Sequence, residues 1–285
     1  MAFKGGTSLS KVFNAINRFS EDVDVTLDYR GFDAGIDPFD PKTSKSQIKK
    51  LSDTLKGFVR DHAHGVVVPY LTKQLLAEVE RNQARVEVSE NGEEVRVYYP
   101  SAVSQTLGYV RDSVLIEFGG RNITEPNAEH QVRPYIAERL AELELPGAKV
   151  TVLSPARTFW EKATLIHVEC HRPELKAGAE RQSRHWCDLA LLADHDIGRR
   201  ALMDRALLAD VVKHKKVFFN IGHANYDACL TGKLRLVPDD PLLDAVAADL
   251  RAMIDGGMFY GKRPSFDKIM ERLQALEQEI NAAVT

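Results

Sequence analysis

The stretch Asp22-Val-Asp-Val-Thr-Leu-Asp28 alternates polar and apolar residues without a break. On a β-strand successive side chains point to opposite faces. Asp22, Asp24, Thr26 and Asp28 therefore share one face, and Val23, Val25 and Leu27 share the other. The apolar set calls for a covering layer of helices. The polar set places two carboxylates side by side, and like charges that close repel unless a cation lies between them. A hard divalent ion relieves that repulsion, and Mg²⁺ characteristically takes one or two carboxylates together with substrate phosphates.

Thr7 precedes Asp22 by 15 residues, in the run Gly5-Gly6-Thr7-Ser8, which is expected to open a short helix reaching about Asn17. Glycines let a backbone approach a ligand closely, and the exposed N–H groups of a first helical turn favour an anion. The hydroxyls of Thr7 and Ser8 add donors, and Lys4 and Lys11 add positive charge. A phosphate-holding turn joined by one helix to a metal-holding strand suits a metal–triphosphate complex. Glu117, inside Val114-Leu-Ile-Glu-Phe118, is a third candidate carboxylate. A carboxylate inside an apolar strand is costly unless paired or metal-bound. The alternative is an edge-strand residue facing solvent.

The rest of the chain divides by periodicity. The stretch 31–44 is rich in Gly, Pro and Asp and reads as a loop, and helices are expected over 46–63 and 66–81. Arg85–Ser89 and Glu94–Tyr99 alternate about Asn91-Gly92, a strong hairpin signal. Further strands are expected at Ser113–Phe118, closed by Gly119-Gly120, and at Lys149–Leu153. From Ser154 onward the pattern is helical, opening with a cap residue and Pro155 at the first helical position. The expectation is an α+β chain: a mixed, mainly antiparallel sheet with helices over residues 1–150, then a helical domain over 151–285.

In the second half, Phe159, Trp160, Ala163 and Ile166 form one helical stripe. Lys162 lies off its centre, free to turn toward a triphosphate. Arg184 and Asp188 stand at i, i+4, and the bland reading of such a pair is a salt-bridged helix surface. His167 and His171 have zinc-binding spacing, but Glu169 does not directly follow the first histidine, so the zinc-protease pattern fails. Cys170, His185 and Cys187 nearby are the residue types of a structural zinc site.

The 285 residues are 44% hydrophobic and 28% charged, with a net charge of −3 and three cysteines in no paired spacing. That composition suits a soluble protein of a reducing cytoplasm. No apolar run reaches the ~18 residues a membrane span needs, and the N-terminus lacks a signal-peptide pattern. Two cationic stretches stand out against the acidic average. One carries Lys42, Lys45, Lys49, Lys50, Lys56 and Arg60 against Asp53. The other carries Arg199, Arg200, Arg205, Lys213, Lys215 and Lys216 against Asp204 and Asp210. Either can meet a phosphate backbone or be a solvated helix face.

Phe3-Lys-Gly-Gly-Thr-Ser-Leu-Ser-Lys11 followed by Arg18-Phe-Ser-Glu-Asp22-Val-Asp24 resembles the nucleotidyltransferase toxins of the AbiEii/AbiGii type, which include the MenT toxins. Two later motifs of that family resemble Pro155-Ala-Arg157-Thr-Phe-Trp-Glu161-Lys162 and Arg184-His-Trp-Cys-Asp188-Leu189. Order and spacing agree over about residues 3–195. The resemblance implies a polymerase-β-like nucleotidyltransferase core followed by a C-terminal helical domain. It implies Asp22 and Asp24 as the metal carboxylates, Gly6 and Thr7 as the phosphate-contacting turn, and Lys162 and Asp188 as further active-site residues. The reading of the residues adds Mg²⁺ or Mn²⁺ as the ion, Gly5, Ser8 and Lys11 to the nucleotide-binding turn and helix, and Glu117 as a third catalytic carboxylate. An NTP is then the substrate, an RNA such as a tRNA the acceptor, and a cognate antitoxin the protein partner. The competing expectations are a protein or small-molecule acceptor, phosphoryl transfer, or a catalytically silent binding partner. Family members carry a helical segment before the Phe-Lys-Gly-Gly strand. Met1 here stands almost on that motif, so either a later start or a lacking piece is expected.

Overall fold

The computed structural model describes residues 1–32, 35–78, 84–100, 111–140, 142–174 and 181–283. The chain forms two compact units: residues 1–13 with 20–154, and residues 14–19 with 155–285. The mixed sheet and the run of C-terminal helices make it an α+β protein. Among the described residues no helix is long and apolar enough to cross a membrane.

The first unit is built on a seven-stranded sheet. Its strands are β1 (Ala2–Lys4), β2 (Asp22–Asp28), β3 (Arg85–Val88), β4 (Glu94–Tyr98), β5 (Ser113–Asn122), β6 (Asn127–Val132) and β7 (Ala148–Leu153), in the order β3-β4-β5-β2-β1-β7-β6. β2 runs parallel to β5 and β1 parallel to β7, while the other neighbours are antiparallel. The hairpin about Asn91-Gly92 forms as expected, with Gly92 at φ +72°.

Two strands differ from the sequence expectation. β5 does not close at Gly119-Gly120 but runs on to Asn122. Gly120 serves packing instead, because a Cβ there would lie 2.5 Å from Cγ2 of Val59 and 3.2 Å from the carbonyl oxygen of Leu55. The bare backbone lets the helix above settle onto the sheet. β6 was not expected, since Asn-Ala-Glu-His-Gln-Val has no apolar alternation. It is an edge strand, exposed over most of its length, so burial imposes no pattern on it.

α1 (Gly5–Lys11) is shorter than expected. Asn14 takes φ +48°, a left-handed conformation that stops a helix, and the residues after it join the second unit. α2 (Lys45–His62) begins with a reciprocal cap between Ser44 and Gln47. It buries Leu51, Leu55 and Val59 at i, i+4 and i+8. A π-helical turn over Ala63–Val67 joins it to α3 (Val68–Glu78). Pro69 has no N–H to give the preceding turn, which suits an irregular hydrogen-bond ladder there. Positions 79–81 of the expected second helix lie outside the described residues. Leu27, Val59, Ala63, Val95 and Phe118 form the core between these helices and the sheet, with Val25 and Ile116 packed against it. Val25 and Leu27 thus face the helices, so alternation turns Asp22 and Asp24 to the opposite face.

The second unit holds α4 (Pro155–Cys170), α5 (Ser183–Asp194), α6 (Asp196–Met203), α7 (Arg205–Phe218), α8 (Leu242–Asp255) and α9 (Phe266–Ala282). The expected stripe of Phe159, Trp160, Ala163 and Ile166 is fully buried, and each large side chain there contributes on the order of 2–3 kcal/mol. Both tryptophans satisfy their indole N–H: Trp160 donates to the Ala201 carbonyl at 3.2 Å and Trp186 to that of Leu236 at 3.0 Å. Residues 14–19 enter as a short strand-like segment. Phe19 N–H donates to the Met258 carbonyl at 2.7 Å, and Tyr260 N–H to that of Asn17 at 3.0 Å.

Candidate active site

In the first unit the carboxylates are set by strand register. Asp24 stands opposite Lys4 on β1 and Glu117 on β5, and Glu117 stands opposite Glu94 on β4. Lys4, Asp24, Glu117 and Glu94 therefore form one rung across four strands, on the face turned away from α2 and α3. Glu117 is not an edge residue, because β5 is flanked on both sides. Three acidic groups beside one cation leave a surplus of negative charge, the arrangement that attracts a divalent ion. Glu94 was missed in the sequence, where its place at the start of a hairpin strand hid its neighbours.

Gly5 closes over this rung. It has φ +77°, and a Cβ added there would overlap Oδ2 of Asp24. The turn needs glycine twice over, for its conformation and for its close approach to the carboxylate. Lys4, which precedes α1, makes no side-chain cap to the first-turn N–H groups. Thr7 donates its hydroxyl proton to the backbone carbonyl of Asp22, and Ser8 donates to that of Gly5 at 2.9 Å. The Thr7 proton thus fixes the turn to the strand and the Ser8 proton closes the turn on itself, and the N–H groups are the donors left for an anion.

Asp22 is 9% exposed and Asp24 is half-buried. Among the described residues, no group of three His, Cys, Asp or Glu side chains is arranged to hold a metal. Glu117 accordingly stands next to Asp24 without closing a three-carboxylate cage with the pair. Asp22 and Asp24 are hard oxygen donors of the kind that would suit Mg²⁺ or Mn²⁺. Asp28, on the same face, is committed elsewhere. It accepts from Arg30 and from the Thr124 hydroxyl at 2.6 Å, and the Arg30 guanidinium holds its carboxyl well below the usual range.

Lys11 lies at the far end of α1 from Gly5, ~9 Å along the axis at 1.5 Å per residue. Its ammonium sits 3.5 Å from the centre of the Tyr135 ring and donates to the Arg133 carbonyl at 3.4 Å.

In the second unit Lys162 and Asp188 come together. Lys162 Nζ lies 2.9 Å from Oδ2 of Asp188, and the same carboxylate receives Arg18 Nε at 2.6 Å and Nη2 at 2.8 Å. Arg18 is 1% exposed and Asp188 0%. Burial on its own would raise the Asp188 pKa. The two cations outweigh that and hold the carboxyl well below its usual range. Asp188 is therefore no surface helix residue, and both its oxygens are taken by protein cations. Its part is to fix Arg18 and Lys162. Arg18 was not singled out in the sequence, although it opens the Arg-Phe-Ser-Glu-Asp22 run.

Of the residues with zinc-type spacing, His167 is engaged within the protein. His167 accepts the Arg235 N–H at Nδ1, 2.9 Å, and meets the Asn225 carbonyl at Nε2, 3.1 Å. These partners assign the neutral tautomer with the proton on Nε2, and burial depresses its pKa to about 4. Burial also pushes the thiols of Cys170, Cys187 and Cys229 up to about 12, so they are unreactive at neutral pH.

The family model for the nucleotidyl transferase AbiEii toxin of type IV toxin–antitoxin systems matches residues 1–272. The chain belongs to that family. Among solved structures, this AbiEii-type chain is similar to MenT4, a nucleotidyltransferase toxin from Mycobacterium tuberculosis H37Rv. The identity is 14% and the TM-score 0.42, over 99% of this chain and 84% of that one. A search of curated proteins finds no match. An AbiEii toxin is a nucleotidyltransferase, so an NTP is a substrate.

Proposed function

We propose that this AbiEii-family chain transfers an NMP group from an NTP to a hydroxyl of an RNA acceptor of tRNA size, with a cognate antitoxin as its protein partner in the cytoplasm. The observation that carries the reading is the Gly5 turn closing on Asp24 while the Thr7 hydroxyl ties α1 to the backbone of Asp22. A phosphate-binding backbone and a carboxylate pair are thereby held as one piece.

Asp22 and Asp24 would hold a divalent ion, which would neutralise phosphate charge and make an acceptor hydroxyl more acidic. The N–H groups of Gly5–Ser8 receive the triphosphate, and Lys4 balances the charge beside Asp24. Glu117, next in the rung, takes the proton of the acceptor hydroxyl. That oxygen forms a bond to the α-phosphorus as the bond to the β-phosphate bridge breaks, and pyrophosphate leaves. In-line displacement of this kind depends on positioning and charge more than on covalent chemistry. Lys162 and Asp188 are carried as further active-site residues of the second unit, where Asp188 fixes the position of the Lys162 ammonium.

The test incubates purified protein with each α-labelled NTP, Mg²⁺ and total cellular RNA. Label on a tRNA-sized band, absent with Asp22→Ala, is the expected result. Bound NTP without labelled RNA would move the acceptor to a protein or small molecule. Unchanged transfer by Asp22→Ala would overturn the site.

A further inference from the structure

The structure separates the two cationic stretches. In the stretch 199–216 the charges are largely spent within the second unit. Arg199 pairs with Asp196, and Lys216 with Asp227 at 2.7 Å. Lys215 donates to the Glu161 carbonyl at 2.9 Å. Arg205 donates to the Ile280 carbonyl at 2.9 Å and lies over the Trp160 ring.

On α2 the opposite holds. Leu51, Leu55 and Val59 face the sheet. At 100° per residue, Lys45, Lys49, Lys56 and Arg60 fall within about 60° of one another, on the flank about 80–140° from the centre of that buried face. All four are exposed. Arg60 pairs with Asp61, whereas Lys45, Lys49 and Lys56 meet no carboxylate among the described residues, not even Asp53 beside them. The stripe also runs against what stabilises a helix. Like charges at i, i+4 repel, and Lys45 stands in a first turn that holds no acidic residue, where the helix dipole disfavours cations. Local rules broken without an internal compensation point to a ligand.

We infer that the Lys45–Lys49–Lys56 stripe of α2 is the docking surface for the phosphate backbone of the acceptor RNA, an inference that rests on the RNA reading above. From Lys45 to Lys56 the stripe is ~16 Å long at 1.5 Å per residue, and a duplex strand presents a phosphate about every 3.4 Å of axis. Several phosphates of one strand therefore face it. The stripe and the carboxylates lie on opposite sides of the same sheet, with a helical layer about 10–12 Å across adding to their separation. An RNA that uses both must be a folded molecule reaching round the unit. The stripe then governs capture of the acceptor and leaves the chemical step alone.

The test compares wild type, Lys45→Gln/Lys49→Gln/Lys56→Gln, and an equal-charge control, Lys233→Gln/Lys262→Gln/Lys268→Gln, whose lysines are exposed in the second unit. Binding to tRNA-sized cellular RNA is titrated between 50 and 200 mM salt, and label transfer to the same RNA is measured. The stripe variant should bind at least ~10-fold more weakly and lower the slope of log K against log salt by about 2–3, at roughly 0.7–0.9 per phosphate contact. Its KM for RNA rises, its kcat stays, and the control matches wild type. RNA labelled and bound alike by the stripe variant and wild type overturns the inference while the transfer reading stands, and leaves an acidic protein as the occupant of the stripe. Equal weakening in both variants overturns it in favour of net charge. Wild type that neither binds nor labels RNA removes both readings.

Discussion

At the scale of single residues, the buried ion pair and the strand carboxylates make different demands. Asp188→Ala leaves Arg18 and Lys162 as buried cations without their counter-charge, and breaking such a pair costs about 3–5 kcal/mol. Denaturant unfolding should show that loss. Asp22→Ala should abolish transfer in a chain that circular dichroism still reports as folded, because Thr7 is tied to the Asp22 backbone and not to its side chain. His167 adds a pH dependence. Its pKa lies near 4 in the folded chain against 6.5 for a free imidazole. The unfolded state therefore binds the extra proton first, and stability falls as pH drops from about 6.5 toward 4. His167→Gln should flatten the slope of unfolding free energy in that window. What the sequence made legible at this scale was the shared face of Asp22 and Asp24, which two-residue alternation dictates. Arg18 was hidden because its partner lies 170 residues away, and no local periodicity reports so distant a contact.

At the scale of elements, a glycine pair was read as a stop where Gly120 serves as a seat. Turn chemistry and close packing both call for glycine, and a single chain gives no local signal to tell them apart. Gly120→Ala tests which applies: a Cβ pressing on Val59 and the Leu55 carbonyl should cost roughly 1–3 kcal/mol by overpacking, read from thermal or denaturant unfolding. Gly5→Ala is the sharper case, since it combines the left-handed backbone with overlap on Asp24. NTP binding should be lost there even where circular dichroism still reports a folded chain. The hairpin, the capped start of α2 and the stripe of α4 were legible because burial or turn geometry imposes a pattern on them. β6 was not, because a solvent-facing edge strand is free of that constraint. The short α1 ended early through Asn14, whose left-handed backbone is set by where the following residues pack.

At the scale of the whole molecule, the helical second half was legible from period alone, but its membership was not. Residues 14–19 belong with 155–285, and Arg18 is their buried contribution. A fragment of residues 155–285 should unfold at a lower denaturant concentration than the same fragment carrying residues 14–19 on a flexible linker, since only the latter supplies Arg18 to Asp188. The path of the chain has a further consequence. It passes between the units after Phe13, after Phe19 and after Ser154, so neither unit is a consecutive piece of the gene. Two relatives cannot exchange one by a single crossover without parting Arg18 from Asp188. Viable recombinants should therefore carry two matched junctions, and the short stitch between them should be inherited with the tail of the protein rather than with the head that surrounds it.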